Sequence, residues 1–474
     1  MAFISLGNRR YVRLWPVLIL LTVALLLIWR NLQQAQKLAE NAKIGGQKSA
    51  DLLPNDSLRS NFPAEDYQDY EEPPKSIRRE DSPRTKDLQE LLKCRNRSIR
   101  FQRLQHGEFW LLQNLVIGRK SLQVGCAESV TYTTNGDYTF FDNLETVASR
   151  WRAPVSFAIH TPGYDLNVTL DAIRYVRNCL PESESIRDWV TFHVYFPNRH
   201  MPDFVPYDEA GVLGQPYFCT LANGSQVPPP YTLVARNESY RAVANLTYPI
   251  NVGRNIARQA ANTHFIFACD IELYPSLGFV DQFLDMVARN HSVLALDPKQ
   301  PRRVYPLPVF EIETGVQIPA DKAELLTLYR NKQAQVFHLK VCPTCHMIPG
   351  QEAWLNQSSS AEDQLHLFSK TLRKNKFKAW EPFYISDNTE PLFDERVTWE
   401  GQSNKRIQNF AMCLLGYEYH VLSPAFLVHS PGIKEFSKNG SSRLQYAKEM
   451  TKFIKNKIEP EYRVLYGQNS ACRT

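Results

Sequence analysis

Asp270-Ile271-Glu272 follows the apolar run His264-Phe265-Ile266-Phe267-Ala268-Cys269. A short buried strand that ends in two acids one residue apart throws two carboxylates off the carboxyl edge of a sheet. Hard divalent cations are held there and diphosphates are neutralised there. The bland use of such acids is a solvated loop or a helix N-cap, so the pattern gains meaning only from its neighbours. Arg254 and Arg258 lie four residues apart, on one face of the helix the pattern predicts over 251–261. Guanidinium groups so placed reach phosphate or carboxylate, and ordinary solvated ion pairs are the competing use. Cys342-Pro343-Thr344-Cys345-His346 matches a haem-attachment pattern. No second haem signal accompanies it, and a single C-x-x-C lacks the second pair a zinc site needs, so a loop stapled by a disulfide is expected.

The elements that must position these groups alternate. Residues 130–133, 155–160 and 190–196 read as strands, 141–151 and 167–177 as helices, and a Pro- and Gly-rich loop covers 197–230. The helix over 251–261 leads into the strand that ends at Asp270. Phe279, Val280, Phe283, Leu284 and Val287 then recur at helical spacing over 276–289, and 292–296 reads as a further buried strand. Alternation of this kind builds an α/β domain with a mostly parallel sheet and helices on both faces, with ligands at the carboxyl ends of the strands. No G-x-G-x-x-G turn or Walker loop is present, which argues against a dinucleotide enzyme or an NTPase.

The amino terminus reads as an address. Residues 14–29 are almost unbroken apolar, with Trp15 and Trp29 at the ends and Arg9, Arg10 and Arg13 in front. The basic flank marks the cytosolic side, so 1–13 is expected as a cytosolic tail, 14–29 as a retained signal anchor and the rest as lumenal. No small-x-small cleavage site follows Trp29, which disfavours a cleaved signal peptide. Residues 30–92 are polar and Pro-containing, with an acidic and then a basic cluster, and are expected as a flexible stem before a catalytic domain over 93–474. Nine N-x-S/T sequons fit lumenal exposure. The nine cysteines fit an oxidising compartment, and their odd number leaves one over, for which buried Cys269 is the candidate. A net charge of +6 without a basic block gives no support for nucleic-acid binding.

Tyr248-Pro249-Ile250-Asn251, Arg254-Asn255-Ile256-Ala257-Arg258, Phe265 through Glu272 and Pro275-Ser276 together resemble the core of glycosyltransferase family 49. The likeness continues through Pro308-Val309-Phe310-Glu311, His346 with Trp354, Glu381-Pro382-Phe383-Tyr384, Asp394-Glu395-Arg396, Asn404-Lys405 and Phe426-Leu427-Val428-His429, and covers roughly residues 120–465. It implies a GT-A type nucleotide-sugar transferase fold in which Asp270 and Glu272 form a D-x-E version of the family's D-x-D. It further implies a single-pass type II Golgi protein that inverts UDP-glucuronate onto a β-xyloside of an O-mannosyl glycan on a dystroglycan-like glycoprotein. Other readings are the same fold with UDP-N-acetylglucosamine or UDP-xylose, and a weakly active Golgi scaffold. Homo- or hetero-oligomers with other glycosyltransferases stay open.

On that resemblance, Mn2+ is expected on Asp270, Glu272 and His429, with His346 the competing imidazole. Donor contacts are expected from Arg254, Asn255, Arg258, Asp270, Asn404 and Lys405, and acceptor contacts from His346 and Trp354. Inversion needs a general base for the acceptor hydroxyl, and Asp394, Glu381 and Glu400 are the acids in the region. The chain departs from the family at Glu272, one methylene longer than the usual Asp, and at Trp399-Glu400-Gly401-Gln402-Ser403, where the family tends to a glycine- and aromatic-rich loop.

Overall fold

The computed structural model describes residues 83–474 apart from 359, 361–362, 431 and 434–440. The chain divides into units 1–75 and 76–474, and all described residues belong to the second. The expected anchor over 14–29 and the stem as far as residue 82 lie outside the described residues. Among those described, no helix is long and apolar enough to cross a membrane.

The strands are β1 (Gln102–His106), β2 (Phe109–Val116), β3 (Val130–Gly136), β4 (Val155–His160), β5 (Val190–Pro197), β6 (Phe265–Ala268), β7 (Leu273–Pro275), β8 (Arg303–Leu307), β9 (Val309–Ile312), β10 (Ala334–Val336), β11 (His366–Leu372), β12 (Phe383–Ser386), β13 (Glu418–Ser423) and β14 (Leu427–His429). Ten of them form one sheet in the order β1-β2-β5-β4-β3-β6-β12-β8-β13-β11. Its centre, β5-β4-β3-β6, is parallel. Every residue of β3 and β4 is buried, as expected of parallel strands covered on both faces. The expected α/β alternation is therefore present, while the strands added at the flanks are largely antiparallel: β2 to β5, and β12 to both β6 and β8.

One face of the parallel centre carries Phe157, Ile159, Phe192 and Val194, packed with Leu144, Val147 and Trp151 of the helix Leu144–Trp151 and with Leu166 and Ile173 of the helix Asp165–Asn178. Ala158 and Tyr195 point the other way and meet Val252, Ile256 and Ala257 of the helix Ile250–Ala260. Gly253 permits this close approach, because a Cβ there would stand 2.7 Å from Tyr195 Oη and 2.8 Å from Asn135 Cβ.

A second sheet runs β10-β9-β14-β7, with β14 parallel to β9 and antiparallel to β7. Four disulfides close Cys94–Cys126, Cys179–Cys219, Cys342–Cys345 and Cys413–Cys472, and Cys269 is the buried free thiol.

Two local expectations change. Residues 292–296 form no strand. Instead, the Asn290 carboxamide caps a turn at Ser292, and Arg303 donates to the Ser292 and Leu294 carbonyls, so those groups are satisfied without a neighbouring strand. The expected stem also ends earlier than residue 92. Pro83–Leu92 is a helix that buries Leu88 and pairs Arg84 with Asp281 and Asp285 of the helix Phe279–Arg289.

Candidate active site

The chain leaves β6 at Ala268, turns through Asp270 and Glu272, and enters β7 at once. Tyr132 of β3 pins this turn, its hydroxyl donating to the carbonyls of Asp270 (2.7 Å) and Leu273 (2.9 Å). In the small sheet β14 pairs with β7 so that His429 lies opposite Leu273. That register sets His429 Nε2 3.9 Å from Glu272 Oε2. The imidazole is 2% exposed, and neither ring nitrogen has a hydrogen-bond partner. An orphaned buried imidazole facing a carboxylate is costly unless something occupies the nitrogen.

Asp270 faces a different set of groups. Arg254, from the first turns of the Ile250–Ala260 helix, donates to Asp270 Oδ1 at 2.8 Å, and Lys405 Nζ reaches Oδ2 at 3.1 Å. The other terminal nitrogen of Arg254 donates to Asn251 Oδ1 and Asn404 Oδ1, so Asn404 holds the guanidinium in place. Burial pushes the Asp270 carboxyl up, but the Lys405 and Arg254 charges overcome it and hold the group well below the usual carboxylate range.

The opposite wall is built from β12 and the loop stapled by Cys342–Cys345. His346 lies parallel to Phe383 with ring centres 6.0 Å apart, and Lys405 Nζ sits 3.7 Å from the centre of that same Phe383 ring. Burial, with Lys405 and His338 nearby, holds the His346 imidazole well below its ordinary value and therefore neutral. Glu381 pairs with Arg406, whose Nε and Nη2 approach Oε1 at 3.0 and 2.9 Å. These walls enclose an open cleft of about 400 Å³, with Trp399, Gln402 and Ser403 at its lining.

Eight of the expected residues thus meet in one cleft: Arg254, Asp270, Glu272, His346, Glu381, Asn404, Lys405 and His429. Five do not line it. Arg258 is fully buried, paired with Glu390 at 3.0 Å and donating to the carbonyls of Glu390 and Pro391. Asn255 holds the backbone of Phe393 by both ends of its carboxamide. Asp394, expected as a general base, is turned away from the cleft lining and clamped by Arg396 at 2.7 Å and by the Tyr462 hydroxyl, as an internal anchor. Glu400 accepts from the Tyr248 amide with both oxygens. Trp354 has no exposed surface, packs against Phe310 and donates to the Leu422 carbonyl, so it belongs to the core and not to an acceptor site.

Arg406, His338 and Phe337 line the cleft without having been singled out. Arg406 directly follows the flagged Asn404-Lys405 pair, and its place in the first turn of the helix Asn404–Leu414 was the only available signal.

Among the described residues, no three His, Cys, Asp or Glu side chains converge as a metal-holding group. Glu272 and His429 nevertheless fit a metal ion as an oxygen and a nitrogen donor side by side, with the unpartnered imidazole as the strongest sign. Asp270, expected to share the ion with them, is instead paired with two cations, Arg254 and Lys405.

Residues 129–467 match the family described as glycosyl-transferase for dystroglycan. The chain is 30% identical to β-1,4-glucuronyltransferase 1 of Danio rerio over 291 residues, which cover 60% of this chain and 63% of that protein. It is 25% identical to the Bos taurus protein of the same name, across 68% of this chain and 72% of the other. Against the xylosyl- and glucuronyltransferase LARGE1 of Mus musculus the identity is 24%, covering 52% of this chain and 28% of the longer relative. The cleft thus lies within the matched region of a glycosyltransferase, and the chain belongs to glycosyltransferase family 49.

Proposed function

We propose that this chain is a metal-dependent, inverting glucuronyltransferase. In this reading it moves glucuronate from UDP-glucuronate to a β-xyloside on an O-mannosyl glycan of a dystroglycan-like glycoprotein. It acts in the Golgi lumen, held by an amino-terminal type II anchor. The observation that carries the reading is the charge in the cleft. Arg254, Lys405 and Arg406 face Asp270, Glu272 and Glu381, so the cations and carboxylates cancel. A donor bearing a diphosphate and a carboxylate needs further positive charge, and the orphaned His429 beside Glu272 is where an ion would bring it.

A manganese-type ion at Glu272 and His429 would supply Lewis-acid neutralisation of the leaving diphosphate. Lys405 and Arg254, already gathered at Asp270, orient the phosphate oxygens by charge-assisted hydrogen bonds. Of the three acids weighed as general base, only Glu381 lines the cleft. It takes the acceptor hydroxyl proton while that oxygen attacks the anomeric carbon opposite the leaving group, which inverts the configuration. Arg406, 2.9 Å from Glu381 Oε1, holds that carboxylate in place.

Assay of the detergent-solubilised full chain with manganese and a panel of UDP-sugars tests the reading. Glucuronate transfer to a β-xyloside is the expected result. Transfer of another sugar revises the donor, and neither transfer nor hydrolysis of any donor replaces the reading with a binding or scaffolding role. The topology has its own measurement: in sealed microsomes the body of the chain should resist protease until detergent is added. Digestion without detergent would overturn the lumenal assignment.

A further inference from the structure

We infer that Arg406 is the residue that selects a uronate donor, by gripping the carboxylate on the sugar ring. The inference rests on the donor reading above and asks which side chain enforces it. The three cations of the cleft are not equivalent. Arg254 is 5% exposed, and its terminal nitrogens are committed to Asp270, Asn251 and Asn404. Lys405 is a point charge that rests on the Phe383 ring and reaches Asp270. Both therefore belong to the Asp270 end, where the diphosphate would lie.

Arg406 has a different partner. Its Nε and Nη2 both approach a single oxygen of Glu381, Oε1. Nη2 also lies 3.9 Å from Cys345 Sγ, and Nη1 makes no hydrogen bond to the described residues. The guanidinium side chain is 26% exposed toward the cleft. A planar fork with one terminal edge still available matches a second carboxylate in bidentate geometry, which an ammonium does not offer. Glu381 Oε1 fixes the fork without covering that edge, and the Cys342–Cys345 staple fixes the wall behind it. A sugar carrying a neutral hydroxymethyl group in place of the carboxylate would leave that edge of Arg406 without a bidentate partner, and that mismatch is a source of discrimination.

Equilibrium titration of the full chain in detergent, with manganese present, against UDP, UDP-glucose and UDP-glucuronate tests this without relying on turnover. Arg406→Gln should weaken UDP-glucuronate by about 100-fold and leave UDP and UDP-glucose within about twofold. Arg406→Lys, which keeps the charge but loses the fork, should fall between. Removal of Arg406 leaves Glu381 unpaired, so the double variant Arg406→Gln with Glu381→Gln guards against misfolding and should show the same selective loss. Equal weakening of all three ligands in both variants would mean that Arg406 only supports the wall, and would overturn the inference alone. A wild-type chain that binds UDP-glucuronate no better than UDP-glucose overturns the donor reading, and this inference with it.

Discussion

Arg254 and Arg258 sit one helical turn apart on the same helix, and the structure gives them opposite work. Arg254 opens on the cleft, where Asp270 is 33% exposed and shared with Lys405. Arg258 is sealed, with a carboxylate from Glu390 that is equally inaccessible and with carbonyls from the same loop. Helical spacing placed both guanidiniums on one face. The elements packed against that face decided which became part of a site: the turn after β6 at one end, and the loop after β12 at the other. A charged residue near a catalytic motif is functional only if its partner is also reachable by a ligand, and burial of the partner is the property that spacing does not encode.

The sharpest way to break this comparison is to delete one side of each pair. Asp270→Ala should reduce transfer by about 1,000-fold or more, because the turn loses a carboxylate and its two cations lose the charge that arranges them. Arg258→Ala should instead cost about 3–5 kcal/mol of folding stability by leaving Glu390 buried without a counter-charge. Denaturant titration beside initial rates checks both. Replacing both partners, Arg258→Met with Glu390→Leu, should recover much of the stability, since an apolar pair needs no compensation. If Arg258→Ala loses activity at unchanged stability, the division between cleft and latch is wrong.

A smaller effect separates the two imidazoles. His429→Ala should raise the manganese concentration for half-maximal rate by about 10-fold or more, and His346→Ala should raise it less. His346 is stacked on Phe383 and kept neutral by burial. Glu272→Asp should keep substantial activity, as it preserves the charge and the family's usual spacing. A larger manganese shift for His346→Ala would move the metal to the other wall of the cleft.

How much of this was legible follows the same division. The buried strand ending in Asp270 and Glu272 was readable because an apolar run that stops at acids has few other uses. The alternation of elements gave the parallel centre for a similar reason. The flanking strands were not readable, since β12 and β13 lie more than a hundred residues downstream of β6 and their neighbours are a tertiary choice. Asp394, Glu400 and Trp354 lay in matched or adjacent motifs, but their roles depended on Arg396 and Tyr462, on the Tyr248 amide, and on burial beneath Leu422. Arg406 was passed over because a basic residue in a first helical turn ordinarily marks a solvated face. Only the fold shows Glu381 waiting opposite it.

The smallest expected effect lies beneath Trp354, expected at the acceptor and found in the core. Lys322 Nζ stands 4.0 Å from the centre of the Trp354 ring, and the side chain is nearly inaccessible. Burial pulls this ammonium down from its ordinary 10.5 to about 8, against the pull of Asp363. The sign of the pH dependence follows from who holds the proton. Below pH 8 both folded and unfolded chains carry it, and the folded chain bears the full desolvation penalty. Between 8 and 10.5 the unfolded chain binds the proton that the folded one has released, so rising pH relieves the penalty and stabilises the fold. Lys322→Met should therefore be more stable than wild type at pH 7, with the gap closing as pH climbs through that window, while transfer near neutrality stays within about twofold because the site is elsewhere. A variant less stable than wild type at pH 7 would mean that the face of Trp354 outweighs the burial, and a large loss of transfer would return Trp354 to the acceptor site.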